Sequence, residues 1–378
     1  MLRFDLDHAS DLLNHRGMSN EHRIERFTVD IADADLKDLQ ERLSRVRFAD
    51  QIPGSYGVST DRVRHLVEYW RDGYDWRAWE ARLNAHPQFT TEIDGQNVHF
   101  IHARSEREDA FPLILTHGWP GSVAEFLDVV EPLTAAGFHL VIPSIPGFGF
   151  SGPTTEAGWD NGRVARAWAE LMARLGYTRY GAVGNDAGSM ISPELGRTDP
   201  DHVAGVHVTQ VFSFPSGDPA EFEGLEPRDY ATLETLDHFM KHKSAFNTLH
   251  SQQPQTLAHA LTDSPAGLLG WNAQLLDETV DDDFVLTNVA IYWFTGTAGS
   301  STRLYYENAQ AEPATEPTTT PLALAGASGD FHGIRNFAQR DHADIRSWNV
   351  YEQDSHYLHH AIPAEITADI AAFFDTLR

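Results

Sequence analysis

The stretch Tyr180-Gly-Ala-Val-Gly-Asn-Asp186-Ala-Gly-Ser189 decides the fold. Its apolar beginning predicts a buried strand, and Gly184 allows a tight turn directly after that strand. Gly188 allows the following helix to pack closely, so the side chain of Asp186 should project alone at the edge of a sheet. An isolated glycine-flanked aspartate is more often a helix cap, so the role of Asp186 as a nucleophile depends on the rest of the chain.

Short apolar runs alternate with helical patterns on both sides of this stretch. Strands are predicted at 113–116, 140–142, 182–183, 203–208, 322–325 and 349–351, and helices at 123–133, 164–175 and 364–377. Such alternation predicts right-handed β-α-β units. Residues 88–93 and 96–101 flank Asp94-Gly95, which is typical of a hairpin. The fold class is therefore α/β, with a mainly parallel eight-stranded sheet and helices on both faces.

Two segments depart from this alternation. Residues 1–87 carry helical patterns at 33–46, 60–70 and 76–83 but little core of their own, which predicts a helical N-terminal segment packed on the main domain. Residues 212–318 replace strands with long helical patterns, as expected of a helical lid. The core would then comprise residues 88–211 and 319–378.

Composition excludes several classes of function. The 28 basic and 55 acidic residues among 378 give a formal charge of -27, which argues against nucleic acid and anionic membranes as partners. The absence of cysteine excludes disulfides, thiol nucleophiles and cysteine metal sites. No apolar run reaches the roughly 18 residues of a membrane span, and the N-terminus lacks the apolar core of a signal peptide. We therefore expect a cytoplasmic protein.

Candidate catalytic groups follow several predicted strands, at the edge of a parallel sheet where functional groups gather. The turn His117-Gly-Trp-Pro-Gly121 can point backbone N–H groups inward, so Trp119 and Ala187 are the candidate donors of an oxyanion hole. Asp330 and His356 follow the last two strands. The chain order nucleophile, acid, histidine is that of the α/β-hydrolase fold.

With these motifs the chain resembles the microsomal epoxide hydrolases, including the juvenile-hormone epoxide hydrolases of insects and bacterial homologues. The resemblance covers nearly all of residues 25–378. It is carried by the motifs Tyr74-Asp-Trp-Arg77, Ile93-Asp-Gly-Gln-Asn-Val-His-Phe100, Thr116-His-Gly-Trp-Pro-Gly-Ser122, Ile142-Pro-Ser-Ile-Pro-Gly-Phe-Gly-Phe-Ser151, Leu261-Thr-Asp-Ser-Pro-Ala-Gly267 and Tyr292-Trp-Phe-Thr-Gly-Thr297.

The resemblance implies an enzyme that converts an epoxide to a vicinal diol. It places the nucleophile on Asp186, the base on His356, the third triad member on Asp330, and the lid tyrosine that holds the epoxide oxygen on Tyr305, with Tyr306 and Tyr292 as alternatives for that tyrosine. Opening a strained ether needs a nucleophile on carbon and a proton donor on oxygen, which these residue types supply. The implied partners are a small hydrophobic epoxide and water, without metal or cofactor, and a homodimer is left open.

This chain departs from the family pattern at several positions. Ala187 stands where a bulky aromatic residue is common, which should enlarge the pocket beside Asp186. Phe246 aligns with a second lid tyrosine. The histidine motif, Asp354-Ser-His356, lacks the usual glycines, and the loop around Asp330 matches poorly. The residues predicted to line a substrate pocket are Phe246, Trp271 and Phe212.

Two other functions stay open at this level. A haloalkane dehalogenase also uses an aspartate nucleophile, with tryptophan halide donors, and Trp119 stands where one could lie. A non-catalytic α/β-hydrolase scaffold that binds a hydrophobic ligand is compatible with Phe246 and the poorly matched acid loop. A serine esterase is excluded, because the chain contains no G-x-S-x-G motif.

Overall fold

The computed structural model describes residues 23–276, 278–312 and 314–378, so the predictions that concern residues 1–22 lie outside it. The strands are β1 Glu25–Phe27, β2 Gln88–Ile93, β3 Gln96–Ala103, β4 Phe111–Thr116, β5 Phe138–Pro143, β6 Tyr180–Gly184, β7 Val203–Val208, β8 Leu322–Ala327 and β9 Ile345–Tyr351. The helices before β8 are α1 Asp33–Leu43, α2 Thr60–Asp72, α3 Trp76–Asn84, α4 Leu127–Ala135, α5 Asn161–Arg174, α6 Ala187–Thr198, α7 Pro227–His242, α8 Ala245–Gln252, α9 Pro254–Asp263, α10 Pro265–Asn272, α11 Asp282–Phe294 and α12 Arg303–Gln310. Three more follow β8, namely α13 Arg335–Asp341, α14 Leu358–Ala361 and α15 Pro363–Phe374.

The described strands form one sheet in the order β1-β2-β3-β5-β4-β6-β7-β8-β9. The pairs from β5 to β9 are parallel, whereas β1, β2, β3 and β5 pair antiparallel. This arrangement is the predicted α/β-hydrolase fold. The central strands β4 and β6 are buried along their whole length, because helices cover both faces of the parallel part.

The described part of the chain forms a sheet of nine strands, so the prediction of eight was wrong. The additional strand is β1, which pairs antiparallel with β2 at the sheet edge. Its sequence, Glu25-Arg-Phe27, is three residues long and mostly exposed, so it shows neither the length nor the alternation that identifies a strand. Strand β1 is extended because it pairs with the edge of β2, and its own sequence pattern does not determine this conformation.

Helices α7 to α12 lie between β7 and β8 in the chain, and the N-terminal helices contact this region. Arg62 pairs with Asp282 at 2.7 Å, and the Tyr69 hydroxyl donates to Asp283 at 2.7 Å. Both acceptors lie in the first turn of α11. The bounds of the core, lid and N-terminal segment stay predictions.

The architecture brings the loops after β4, β6, β7, β8 and β9 to one edge of the sheet, because parallel strands share a carboxyl-terminal edge. Each candidate catalytic residue of the core lies in one of these loops. Among the described residues, none of the helices is long and apolar enough to cross a membrane.

Candidate active site

The loop between β6 and α6 holds Asp186 in a backbone conformation that few side chains adopt. Asp186 has φ 52° and ψ -117°, which is the strained turn that presents a nucleophile in this fold. A Cβ atom at Gly188 would overlap the carbonyl oxygen of Thr116, so glycine is required where α6 approaches β4. The backbone N–H of Asp186 donates to Gln210 Oε1 at 2.9 Å, which anchors the turn from β7.

One carboxylate oxygen of Asp186 faces backbone donors. The Trp119 N–H donates to Asp186 Oδ1 at 3.0 Å. A Cβ atom at Gly118 would overlap the same oxygen, so this glycine makes room for the carboxylate. Burial raises the pKa of Asp186, although the charge of His356 and the N–H groups of Trp119 and Ala187 oppose the shift. These two N–H groups are the predicted oxyanion donors, and they converge on the predicted nucleophile.

His356 lies between two carboxylates. Its Nδ1 is 2.7 Å from Asp330 Oδ2, whereas its Nε2 is 3.8 Å from Asp186 Oδ2, beyond hydrogen-bond distance. Burial lowers the pKa of His356, but the charge and hydrogen bond of Asp330 and the charge of Asp186 outweigh it and raise the pKa to about 9. Burial likewise opposes ionisation of Asp330, but His356 and a hydrogen bond from Gln210 at 3.1 Å lower its pKa overall.

Of the three candidate tyrosines, Tyr305 packs its ring against Trp119, whose backbone N–H contacts Asp186. Its ring centroid lies 6.2 Å from that of Trp119. Burial, followed by the charge of Asp186, raises the pKa of Tyr305 well above its usual value, so the phenol stays protonated at neutral pH. The hydroxyl of Tyr292 instead donates to Gly121 O at 2.6 Å, and Tyr306 is 40% exposed.

The three predicted pocket aromatics lie at different places. Phe246 stacks on Trp119 at 5.3 Å and lies 5.8 Å from Tyr305, so it belongs to the wall of the site. Trp271 lies behind this wall and donates its Nε1–H to His250 Nε2 at 2.9 Å. Phe212 packs 6.2 Å from Phe331, the residue after Asp330.

Three further residues of the site were not predicted. Gln210 links Asp186 to Asp330, and its position two residues after β7 could have identified it. His250 packs between Trp119, at 4.6 Å, and Tyr305, at 5.0 Å, but nothing in its helical sequence context signals this. Glu125 is a buried carboxyl in the 3-10 helix Val123–Phe126, where a glutamate near a helix start is ordinarily exposed. Within the described residues, no group of three histidines or acids could hold a metal ion.

Comparison with family models shows matches to two families that together cover most of the first two thirds of the chain. Residues 24–126 match the model described as epoxide hydrolase N terminus. Residues 112–242 match the model described as alpha/beta hydrolase fold.

Individual proteins match over longer stretches. A protein of Stigmatella aurantiaca (strain DW4/3-1), provisionally named an epoxide hydrolase, is 36% identical over 375 residues, covering 93% of this chain and 85% of its own length. Juvenile hormone epoxide hydrolase 1 of Ctenocephalides felis is 32% identical over 325 residues, covering 75% of this chain and 70% of its own length. The solved structure of Aspergillus niger epoxide hydrolase superposes with a TM-score of 0.84 at 28% identity, covering 94% of this chain and 97% of its own.

Proposed function

This chain belongs to the epoxide hydrolase family and hydrolyses epoxides, and we propose that it does so through a covalent ester on Asp186. The relatives confirm the predicted hydrolysis of epoxides. They favour it over the two alternatives, a haloalkane dehalogenase and a non-catalytic scaffold that binds a ligand. The covalent route is supported above all by the orientation of the Asp186 carboxylate. Its Oδ1 accepts from the Trp119 N–H, which leaves Oδ2 free on the side of His356.

In the first step, Asp186 Oδ2 attacks an epoxide carbon, and the carbon–oxygen bond of the ring breaks. The oxygen takes the phenolic proton of Tyr305, because an alkoxide would be a poor leaving group in a buried site. His356 carries a proton at neutral pH, since its pKa is about 9, and this proton returns to the Tyr305 phenolate through water. Ester formation removes the charge of Asp186, which is one of the charges that raise the pKa of His356. The histidine is then neutral and can act as a base.

In the second step, water loses a proton to His356 Nε2, and its oxygen bonds to Cγ of Asp186. The carbonyl electrons move to Oδ1, where the N–H groups of Trp119 and Ala187 stabilise the oxyanion. Collapse of this intermediate expels the second diol oxygen, which takes the proton from His356. The proton of the regenerated carboxylic acid returns to His356, so both side chains recover their resting states. Asp330 orients the histidine throughout.

We propose a hydrophobic epoxide as the substrate. Trp119, Phe246 and Tyr305 pack together beside the Asp186 turn and offer apolar faces to a bound molecule. Ala187, next to the nucleophile, supplies a methyl group where a larger side chain would reduce the space. A homodimer and a cytoplasmic location stay predictions from the sequence.

Replacing Tyr305 with phenylalanine should slow epoxide opening by about 10²–10⁴-fold, because the opened oxygen loses its proton donor. The rate of ester formation in a single turnover of styrene oxide measures this step directly. Tyr306→Phe is the matched control, because that side chain is 40% exposed, and it should react at the normal rate. Equal rates for Tyr305→Phe and the unmodified enzyme would remove Tyr305 from the mechanism.

A further inference from the structure

Glu125 is a buried carboxyl that the two chemical steps above do not use. It lies in the 3-10 helix Val123–Phe126, directly after the turn that contains Trp119, and is 1% exposed. A Cβ atom at Gly121 would overlap its Oε2, so the carboxyl lies against this glycine. Neither carboxyl oxygen has a hydrogen-bond partner among the described residues.

Two other buried polar atoms of this region also lack a partner in the described part of the chain, namely Asn185 Nδ2 and the Tyr357 hydroxyl. Asn185 Oδ1 accepts from Thr209 Oγ1 at 2.5 Å, which determines the orientation of the amide and leaves its N–H groups for another acceptor. The ring of Tyr357 would lie 3.2 Å from a Cβ atom on Gly121, on the same glycine as the Glu125 carboxyl.

These groups lie beside the catalytic pair. Asn185 directly precedes Asp186 in the chain, and Tyr357 directly follows His356. The ring centroids of His356 and Tyr357 are 5.1 Å apart. Burial raises the pKa of Glu125 well above its usual value; the charge of His356 and the nearby Asn185 amide act in the opposite direction, and the charge of Asp186 raises the pKa further. The carboxyl thus experiences the charges of both His356 and Asp186.

A structural role alone does not explain this arrangement. A buried polar group without a partner destabilises a fold, and an apolar side chain of similar size is usually tolerated better. Neighbouring buried carboxyl, amide N–H and hydroxyl groups without partners are, however, what a buried water molecule needs, because such a water typically makes about three hydrogen bonds.

We propose that Glu125, the Asn185 amide and the Tyr357 hydroxyl hold the water molecule that hydrolyses the Asp186 ester. The proposal rests on the covalent mechanism and adds the source of its second reactant. One proton of this water passes to His356 Nε2 while its oxygen bonds to Cγ of Asp186, and Glu125 accepts a hydrogen bond from the other proton. The Asn185 amide donates to one lone pair of the water oxygen, and the Tyr357 hydroxyl donates to the Glu125 carboxyl, so the second lone pair of the water stays available for the attack. Glu125 therefore positions the water for the second step and has no part in the first.

The test separates the two steps by single-turnover kinetics with styrene oxide, following the ester by the mass of the intact protein. Glu125→Met removes both oxygens and keeps the volume. It should form the ester within about threefold of the normal rate and hydrolyse it about 10–100-fold more slowly, because the water is no longer held in place. Glu125→Gln retains an acceptor and a donor and should recover part of the hydrolysis rate. Tyr357→Phe should slow the same step by a smaller factor.

Thermal unfolding distinguishes this role from a structural one, because Glu125→Met should be at least as stable as the unmodified protein. Ser122→Ala is the matched control, since it removes a buried 2.7 Å hydrogen bond to Asn288 at the start of the same short helix. It should lower stability without accumulation of ester. Normal ester hydrolysis in Glu125→Met, or an equal loss in both steps, would overturn the proposal. An unlabelled Asp186 peptide after a single turnover of the unmodified enzyme in ¹⁸O water would instead refute the covalent mechanism itself.

Discussion

Replacing Asp186 with alanine is expected to abolish diol formation, with a loss of about 10⁴-fold or more, because no other described carboxylate has the same placement. Among the acids that the structure describes, only Asp186 has one oxygen at the Trp119 N–H and the other facing His356. Diol release from styrene oxide, measured by chromatography, gives the rate. A loss of less than tenfold would show that water attacks the epoxide directly.

One further measurement and one control accompany this variant. The pKa of His356 should fall from about 9, because the charge of Asp186 is one of its causes, and an NMR titration of the histidine ring measures this. Asp354→Ala is the matched control, because Asp354 is an exposed acid in the loop that carries His356. It should leave diol formation unchanged and the pKa of His356 close to its original value.

Replacing His356 with glutamine should leave formation of the Asp186 ester possible but slow its hydrolysis. The first bond is made by Asp186 with Tyr305 as the proton donor, so the enzyme should still become alkylated. Hydrolysis of the ester should slow by about 10²–10⁴-fold, because water loses its general base. The protein should therefore gain the mass of one substrate molecule, and peptide mapping should place the adduct on Asp186.

The neighbouring His360 supplies the control for this experiment. Its ring pairs with Asp128 at 2.6 Å and with Asp281 at 3.1 Å, away from the reacting atoms. His360→Gln should lower the stability of the protein without accumulation of ester. Release of diol by His356→Gln at the normal rate would exclude His356 as the base.

The fold could be predicted from the sequence because the core strands are continuous apolar runs and the intervening helices have clear apolar faces. Strand β7 was predicted at its observed bounds, Val203–Val208. The short strand β1 could not be predicted, since its conformation depends on the edge of β2, which is distant in the chain. Local pattern therefore determined the parallel core, and tertiary contacts determined the edge.

The same distinction applies to the candidate site, where local pattern predicts some residues and tertiary packing brings in others. Asp186, Asp330 and His356 follow strands whose order in the chain identifies them, and the structure places them within reach of each other. Glu125 and His250 could not be predicted, because both lie on helices and reach the site through packing of distant segments. Periodicity describes which face of a helix is apolar, but it does not tell which polar side chain that face carries into a site.

A single turnover in ¹⁸O water, with enzyme in excess over styrene oxide, tests the covalent ester most directly. The attacking water adds its oxygen to the carboxyl carbon of Asp186, so the first diol formed should contain no ¹⁸O. The peptide that contains Asp186 should gain the mass of one ¹⁸O atom in place of ¹⁶O. Appearance of ¹⁸O in the diol during that first turnover, with an unlabelled Asp186 peptide, would contradict the mechanism.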